Sequence, residues 1–359
     1  MIFIKRRISI LVLALLLAGC GKKPEPAQET LAGNVVVQTE LPAEPEPAPP
    51  SHEGEAVDSL TGLYIKEEAA RRRPVAVVIN NIRKALPQSG ISQADLYYEV
   101  LAEGGITRII AVFRDFDSKK IGPVRSARDY FVDFALDHDA VFVHHGGSGT
   151  GYAFIKSQGI DHLDGMRDGE AYWRDPARAS VSGMYEHSSY TNAEKILAEI
   201  GKKEYRTEPK REDSPFDFYD GFSFPADGKF SGKITVPFSS EQRSVFEYDG
   251  KSQVYRRFYG ENPQIDEETG KQLEVSNVII QQTQMWIIKG DEAGRRQVSL
   301  VGEGKGYLAT GGEYTEITWK KVSHESPTQF FDADGNKLKL NKGKTWICVF
   351  DSSGDVLFE

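Results

Sequence analysis

The chain has 359 residues, a formal net charge of −9, and 39% hydrophobic and 27% charged residues, the balance of a globular protein. That acidity argues against nucleic acid as a partner, because a phosphate backbone would be repelled. Two cysteines, Cys20 and Cys348, are too few for a disulfide framework or a zinc-type cysteine cluster.

Residues 1–19 read as a targeting segment. Lys5, Arg6 and Arg7 form a basic start, and Ile8 to Ala18 is an apolar run too short to span a bilayer comfortably. The run ends in Leu17-Ala18-Gly19-Cys20. This tetrapeptide resembles the lipobox of bacterial lipoproteins, and the resemblance implies lipid attachment at Cys20 after cleavage. The alternative is an ordinary secretory signal with an incidental cysteine. Under the first reading the protein sits at the extracytoplasmic face of a cell membrane, held by its lipid anchor. Cleavage removes three positive charges, which takes the net charge from −9 to −12. With Cys20 acylated, no intrachain disulfide can form, and Cys348 in Trp346-Ile-Cys-Val-Phe350 reads as a small buried apolar residue.

Residues 20–57 form a Pro/Glu-rich tether. The stretch 21–57 holds seven of the chain's 17 prolines and few aromatics, so it cannot bury a core. As a coil it spans ~35 Å. The remaining length exceeds what one core usually takes, which predicts two domains, 58–204 and 231–359. The expected fold class is α+β or mixed α/β for the first, followed by a mostly antiparallel β-rich second.

In the first part, Pro74 to Ile79 is apolar on both faces, as a central strand requires, and ends in Asn80-Asn81. Leu96 to Leu101 and Ile106 to Phe113 are two more strands, with Glu103-Gly-Gly105 as the hairpin turn between them. Next comes Ile121-Gly-Pro-Val-Arg-Ser-Ala-Arg-Asp-Tyr130. Ser126 and Asp129 match the capping-box pattern, and Tyr130, Phe131, Phe134 and Ala135 recur at helical spacing. Ala140 to Val143 is a short buried strand running into His144-His-Gly-Gly-Ser-Gly-Thr-Gly151, after which a short helix opens at Thr150 or Gly151 and runs to Ile155. A second capping box, Thr191-Asn-Ala-Glu194, opens a helix to Ile200.

Beyond residue 205 short alternating runs are separated by Asp-Gly turns at Asp249-Gly250 and Asp334-Gly335. The expected strands are 233–237, 252–258, 277–282, 285–289, 297–302, 306–310, 315–320 and 345–350. Gly302-x-Gly-x-Gly306 reads as a strand bend or bulge. An exposed aromatic such as Trp319 would serve as a hook if this part bound a partner.

The chemistry centres on Arg125 and Arg128. A cation at a helix start opposes the helix dipole at a cost of a few tenths to ~1 kcal/mol. A bound anion such as phosphate or carboxylate would justify it. The competing reading is a structural network with Asp115, Asp117, Asp129 or Glu99. Gly146, Gly147 and Ser148, with His144 and His145 before them, could form an N–H nest at a strand's carboxyl end or merely a glycine turn. The spacing matches neither Walker A nor a dinucleotide fingerprint. Glu103, Arg108, Asp161, His162, Asp164, Arg174, Asp175, Arg178, Glu186 and His187 are acid–base candidates whose geometry the sequence leaves open. No metal-ligand spacing is present, so neither metal nor cofactor is expected.

Several segments together resemble the YerB-like bacterial lipoproteins, which carry domain of unknown function 3048. They are Arg73 to Asn81, Gln88 to Glu99, Glu103 to Arg108, Ile121 to Arg128 and His144 with Gly146 to Ser148. In the second part they are Asn277 to Ile280, Gly302 to Gly306 and Gly343 to Ile347. The resemblance implies an α/β domain followed by a β-rich one on a membrane lipoprotein of a Gram-positive bacterium. It carries no activity. Glu186-His-Ser-Ser189 departs from the Pro-His-Asn-like segment expected there, which weakens a role for His187. Some forty residues are also similar to the LytR-CpsA-Psr phosphotransferases, through Ile109–Phe113, Pro123–Asp129 and Gly146-Gly147.

Two functions follow as expectations. The first is a binding or regulatory lipoprotein, not an enzyme, recognising an anionic or glycan envelope component or a cell-wall enzyme. Its binding residues would be Arg125, Arg128, Arg108, Glu103, Gly146, Gly147 and Ser148. The alternative, implied by the second resemblance, is a phosphotransferase or hydrolase acting on a polyprenyl pyrophosphate or lipid-linked glycan. Arg125 and Arg128 would then hold the pyrophosphate, magnesium would be a candidate cofactor, and Asp129, His144 or His145 would be catalytic.

Overall fold

The structure is a computed structural model, and it describes residues 51–211 and 214–359. The targeting segment, Cys20 and most of the tether lie outside the described residues. Residues 51–359 form one compact unit.

Its backbone is a mixed eleven-stranded sheet. From the first half come β1 (Val75–Asn81), β2 (Leu96–Leu101), β3 (Thr107–Phe113), β4 (Val141–His144) and β5 (His162–Asp164). The second half adds four long strands to the same sheet. These are β9 (Asn277–Thr283), β10 (Gly302–Thr310), β11 (Glu313–Lys321) and β12 (Thr345–Asp351). The order runs β11-β10-β9-β12-β2-β3-β1-β4-β5, with the short strands Lys229–Phe230 and Gln329–Phe331 beside β11. The halves join where β12 pairs parallel with β2, in the register Trp346↔Tyr97 and Cys348↔Glu99. A second, antiparallel sheet contains β6 (Lys233–Pro237), β7 (Arg243–Asp249), β8 (Val254–Tyr259) and β13 (Leu357–Phe358). The polar ends of β7, Arg-Ser and Tyr-Asp, hid it from the hydrophobic pattern.

Strand alternation builds the layers. Tyr98 faces the helices and stacks on Phe134 at 4.6 Å. Its neighbour Tyr97 faces the other way, stacking on Trp346 at 4.6 Å, and Trp346 meets Phe246 of the second sheet. The central sheet therefore has helices on one face and the antiparallel sheet on the other. Each fully buried large side chain of this sandwich contributes about 1.5–3 kcal/mol relative to exposure. Cys348 is buried within it.

Three helices matter to the site: α1 (Asp129–Asp137), α2 (Gly149–Gln158) and α3 (Ala193–Lys202). The cap of α1 is Arg128, not Ser126, and Asp129 is its first residue. The reason lies upstream. The backbone N–H of Arg125 donates to Val78 O and that of Ala127 to Gly146 O, which holds the chain extended through Arg128. The Ser126 hydroxyl donates to His145 O instead of capping. Ser148 caps α2 by accepting from Gly151 N, so that helix starts earlier than expected and runs further. In α3 the cap is Asn192, while Thr191 donates to Ala171 O.

The second half brings two corrections. Trp319 is buried, its indole N–H donating to Gln282 O at 2.8 Å, so it is no surface hook. Gly302 to Gly306 opens a continuous strand rather than breaking one. Gly306 is required by close approach: a Cβ there would fall 2.3 Å from Ile280 O of the neighbouring strand.

Candidate functional site

The hairpin β2–β3 and the extended segment before α1 bring Arg108, Arg125 and Arg128 into one cluster. Arg108 is the inner member. It stands on β3 directly across from Asn80 of β1 and is 3% exposed. Its Nη1 donates to Asn80 Oδ1 at 3.3 Å and to Thr107 O at 3.4 Å, two long bonds to neutral acceptors. Burial, then the charges of Arg125 and Arg128, push its pKa down to about 9.

The outer two arginines are each paired. Arg128 Nε donates to Glu103 Oε1 and its Nη1 to Ala127 O. Burial raises the Glu103 pKa, but the hydrogen bond and charge of Arg128 outweigh it, and the carboxylate ends below its usual range. Arg125 Nη1 donates to Glu186 O at 2.7 Å and Nη2 to Glu186 Oε2 at 3.2 Å. Its Nε is buried without any acceptor. The structural pairing thus uses Glu103 and Glu186, not Asp115, Asp117, Asp129 or Glu99. Three guanidiniums share two carboxylates.

His187 joins this cluster despite its unfavourable sequence context. It is buried, its Nδ1 lies 2.8 Å from Asn80 Nδ2, and its Nε2 lies 3.6 Å from Glu186 Oε1. Since the amide N–H₂ can only donate, Nδ1 is the acceptor and the imidazole is neutral with its proton on Nε2. Burial and then Arg125 lower its pKa, in keeping with that form. Asn80 escaped the sequence reading. Its signal is the Asn-Asn pair at the end of an apolar strand, where polar side chains must find buried partners.

The remaining residues lie around this cluster in two groups. His145 is tied to Ser189 Oγ at 2.7 Å and to Arg174 Nη2 at 3.1 Å, next to the 184–190 segment. His144 is fully buried and turned away, toward Gly146 O at 2.8 Å and His162 Nδ1 at 3.0 Å. Burial lowers its pKa to about 4. Gly146 N donates to Asp164 Oδ1, Ser148 N to Ala127 O, and Gly151 N to Ser148 Oγ. Those three N–H groups are satisfied internally. Asp129 has its pKa raised by burial against the N–H groups of the first helical turn. Among the described residues, no cluster of three or more His, Cys, Asp or Glu is disposed to hold a metal ion.

Hollows of about 350 to 510 Å³ in the described surface lie elsewhere. One of about 510 Å³ lies between Arg83, Lys233, Arg243, Glu247 and Glu359, and is not lined by the clustered arginines. The cluster meets solvent at the surface. Chemically it offers excess positive charge, one orphan N–H donor and one hydrogen-bond-poor guanidinium; the hydroxyl held by an imidazole beside it, Ser189 Oγ on His145 Nδ1, is buried.

The comparisons with known proteins agree with this architecture. Residues 60–206 match the model described as "Protein of unknown function (DUF3048) N-terminal domain", and residues 234–347 match its C-terminal domain. The "Putative lipoprotein YerB" of Bacillus subtilis (strain 168) is 38% identical over 293 residues, 81% of this chain and 85% of that protein. The crystal structure of YerB from Bacillus subtilis superposes with a TM-score of 0.73 at 34% identity, covering 84% of this chain and 99% of that one. The chain therefore belongs to the YerB-like DUF3048 family, whose function is unknown.

Proposed function

We propose that this protein is a lipid-anchored binding protein of the cell envelope that recognises an anionic group through Arg108, Arg125 and Arg128. The observation that carries this reading is the charge imbalance at the cluster. Arg108 is buried with only two long neutral bonds, and Arg125 Nε has no acceptor at all. A buried guanidinium without a carboxylate is costly, and a bound oxyanion would relieve both defects at once. The lipobox-like Leu17-Ala18-Gly19-Cys20 and the lipoprotein name of the relative support the location. The hydroxyl–imidazole pair beside the cluster, Ser189 Oγ with His145 Nδ1, has its hydroxyl buried, which supports binding over turnover.

The test is calorimetric titration of the chain from residue 21 onward with pyrophosphate, a poly(glycerol phosphate) and an uncharged peptidoglycan fragment. The phosphorylated ligands bind, the affinity falls about ten-fold or more in Arg108→Gln or Arg125→Gln, and added salt weakens it. No binding of either phosphorylated ligand at millimolar concentration overturns the proposal.

A further inference from the structure

A second surface stands at the end of the body where the tether enters. His52, just inside the described residues, stacks on Tyr64 at 3.5 Å. Lys342 Nζ stands 6.0 Å from the same ring. Its neighbour Asn341 exchanges two hydrogen bonds with Ser223, of 2.8 and 2.7 Å. Ser223 separates Phe222 from Phe224, which meet edge to face at 5.3 Å over Gly311, where an added Cβ would come within 3.0 and 3.2 Å of the two rings. Phe230 pairs with Glu313 beside that same turn and is 77% exposed. Leu63, Tyr64, Phe222, Phe224 and Phe230 are therefore exposed apolar side chains at one end of the molecule. Clustered exposed aromatics of this kind mark an interaction surface.

We infer that this end is a bilayer-contact face, with the phenylalanines of residues 222–230 and the Leu63-Tyr64 pair seated in the headgroup boundary of a membrane. The entry point of the chain selects the occupant. Only residues 21–50 separate Cys20 from the described body. A coil of that length reaches ~30 Å on average, so an anchor at Cys20 keeps the membrane within about one body diameter of Tyr64. Aromatic rings have the apolar body that an interfacial site rewards. Lys229 and Lys342 beside the face are balanced by Asp227 and Glu313, so contact depends on apolar insertion more than on headgroup charge. The arginine cluster remains outside this face and available to a ligand. The inference rests on Cys20 as the lipid-bearing residue, but the contact itself can be measured without the lipid.

The experiment is flotation of the chain from residue 21 onward with vesicles of phosphatidylglycerol and phosphatidylethanolamine. The protein floats with the vesicles. Partitioning falls about ten-fold or more in Phe222→Ser/Phe224→Ser and further with Phe230→Ser. These side chains are on the surface, and an unchanged melting temperature shows that the variants fold. Trp286→Ser is the control: Trp286 follows the far end of β9 from Asn277, and its loss leaves flotation unchanged. No flotation of the parent chain overturns the inference, as does undiminished flotation of the triple variant. Dimerisation in sedimentation that is abolished by the same substitutions assigns the face to a second copy instead and also overturns it. Loss of membrane attachment in Cys20→Ser cells with flotation intact in vitro separates the anchor from the face.

Discussion

Glu99 gives the sharpest test of how the two halves are held together. Its carboxylate is fully buried between the central and antiparallel sheets. It accepts from Asn81 Nδ2 and Thr107 Oγ1 at 2.9 Å, Ser244 Oγ at 2.7 Å, Arg257 Nη2 at 3.0 Å and Trp346 Nε1 at 3.1 Å. Arg257 is equally buried, lies over the rings of Phe246 and Trp346, and has no acceptor for Nε or Nη1. Its charge therefore depends on Glu99. Glu99→Leu keeps the volume but strands that charge, a loss of about 3–5 kcal/mol, and orphans the Trp346 N–H for about 1 more. The expected destabilisation is at least ~4 kcal/mol. The double variant Glu99→Leu/Arg257→Met removes both charges and recovers at least ~2 kcal/mol of the summed single losses. Urea unfolding of the chain from residue 21 onward, followed by fluorescence and extrapolated linearly, measures all four corners of the cycle. A cost for Glu99→Leu below ~1 kcal/mol, or strict additivity in the double variant, refutes the reasoning.

Three further outcomes are expected. Glu186→Gln removes a carboxylate that competes for Arg125. Anion affinity rises about two- to five-fold in titration, while stability changes by less than ~1 kcal/mol because the pair is at the surface; a fall in affinity would make Glu186 part of the ligand shell instead. Gly306→Ala forces a Cβ against Ile280 O, and thermal unfolding registers a loss of about 2 kcal/mol or more; a neutral change would mean the β9–β10 contact is loose. His138 is buried against Tyr98, and burial lowers its pKa to about 4 against an ordinary value near 6.5. Its neutral form is the folded one, so its contribution is intact above pH 6.5 and is lost as pH falls toward 4. Between pH 8 and pH 5 that loss is ~2 kcal/mol, and the destabilisation caused by His138→Gln shrinks by that amount. A pH-independent difference in urea midpoints would exclude it.

Much of the fold was legible because it rests on local pattern. Pro74 to Ile79 is apolar on both faces and Ile106 to Phe113 is a mostly apolar run, and both are central strands. The Glu103-Gly-Gly105 turn joins antiparallel neighbours, its glycines taking left-handed backbone. What stayed hidden is non-local. Nothing near residues 96–101 announces a parallel partner 250 residues away, because such pairing has no turn to mark it. The start of α1 was misplaced for the same reason: the bonds that hold residues 125–128 extended come from Val78 and Gly146. At the site, the arginine turn was visible as a violation of helix-dipole preference. Its counter-ions were not, since Glu186 reaches Arg125 from a loop sixty residues away.

The Asn80-Asn81 pair shows how the site and the core are made by one periodicity. Consecutive residues of β1 point to opposite faces of the sheet. Asn80 lies opposite Arg108 and reaches His187, on the face that carries the arginine cluster. Asn81 lies opposite Thr107 and donates to Glu99, on the face covered by the second sheet. Gln88 links the two residues by donating to Asn80 O and to Asn81 Oδ1, and Gln264 of the second half closes the bond network through Asn81 and Gln88. The cationic surface is thus mounted on the back of the buried polar clamp, one peptide unit away. A shift of β1 register by one residue would bury Arg108's partner among the wrong groups and break both at once. The geometry of the arginines is fixed by bonds from neighbouring elements, Val78 and Asn80 of β1 and Gly146, and not by the turn that bears them alone.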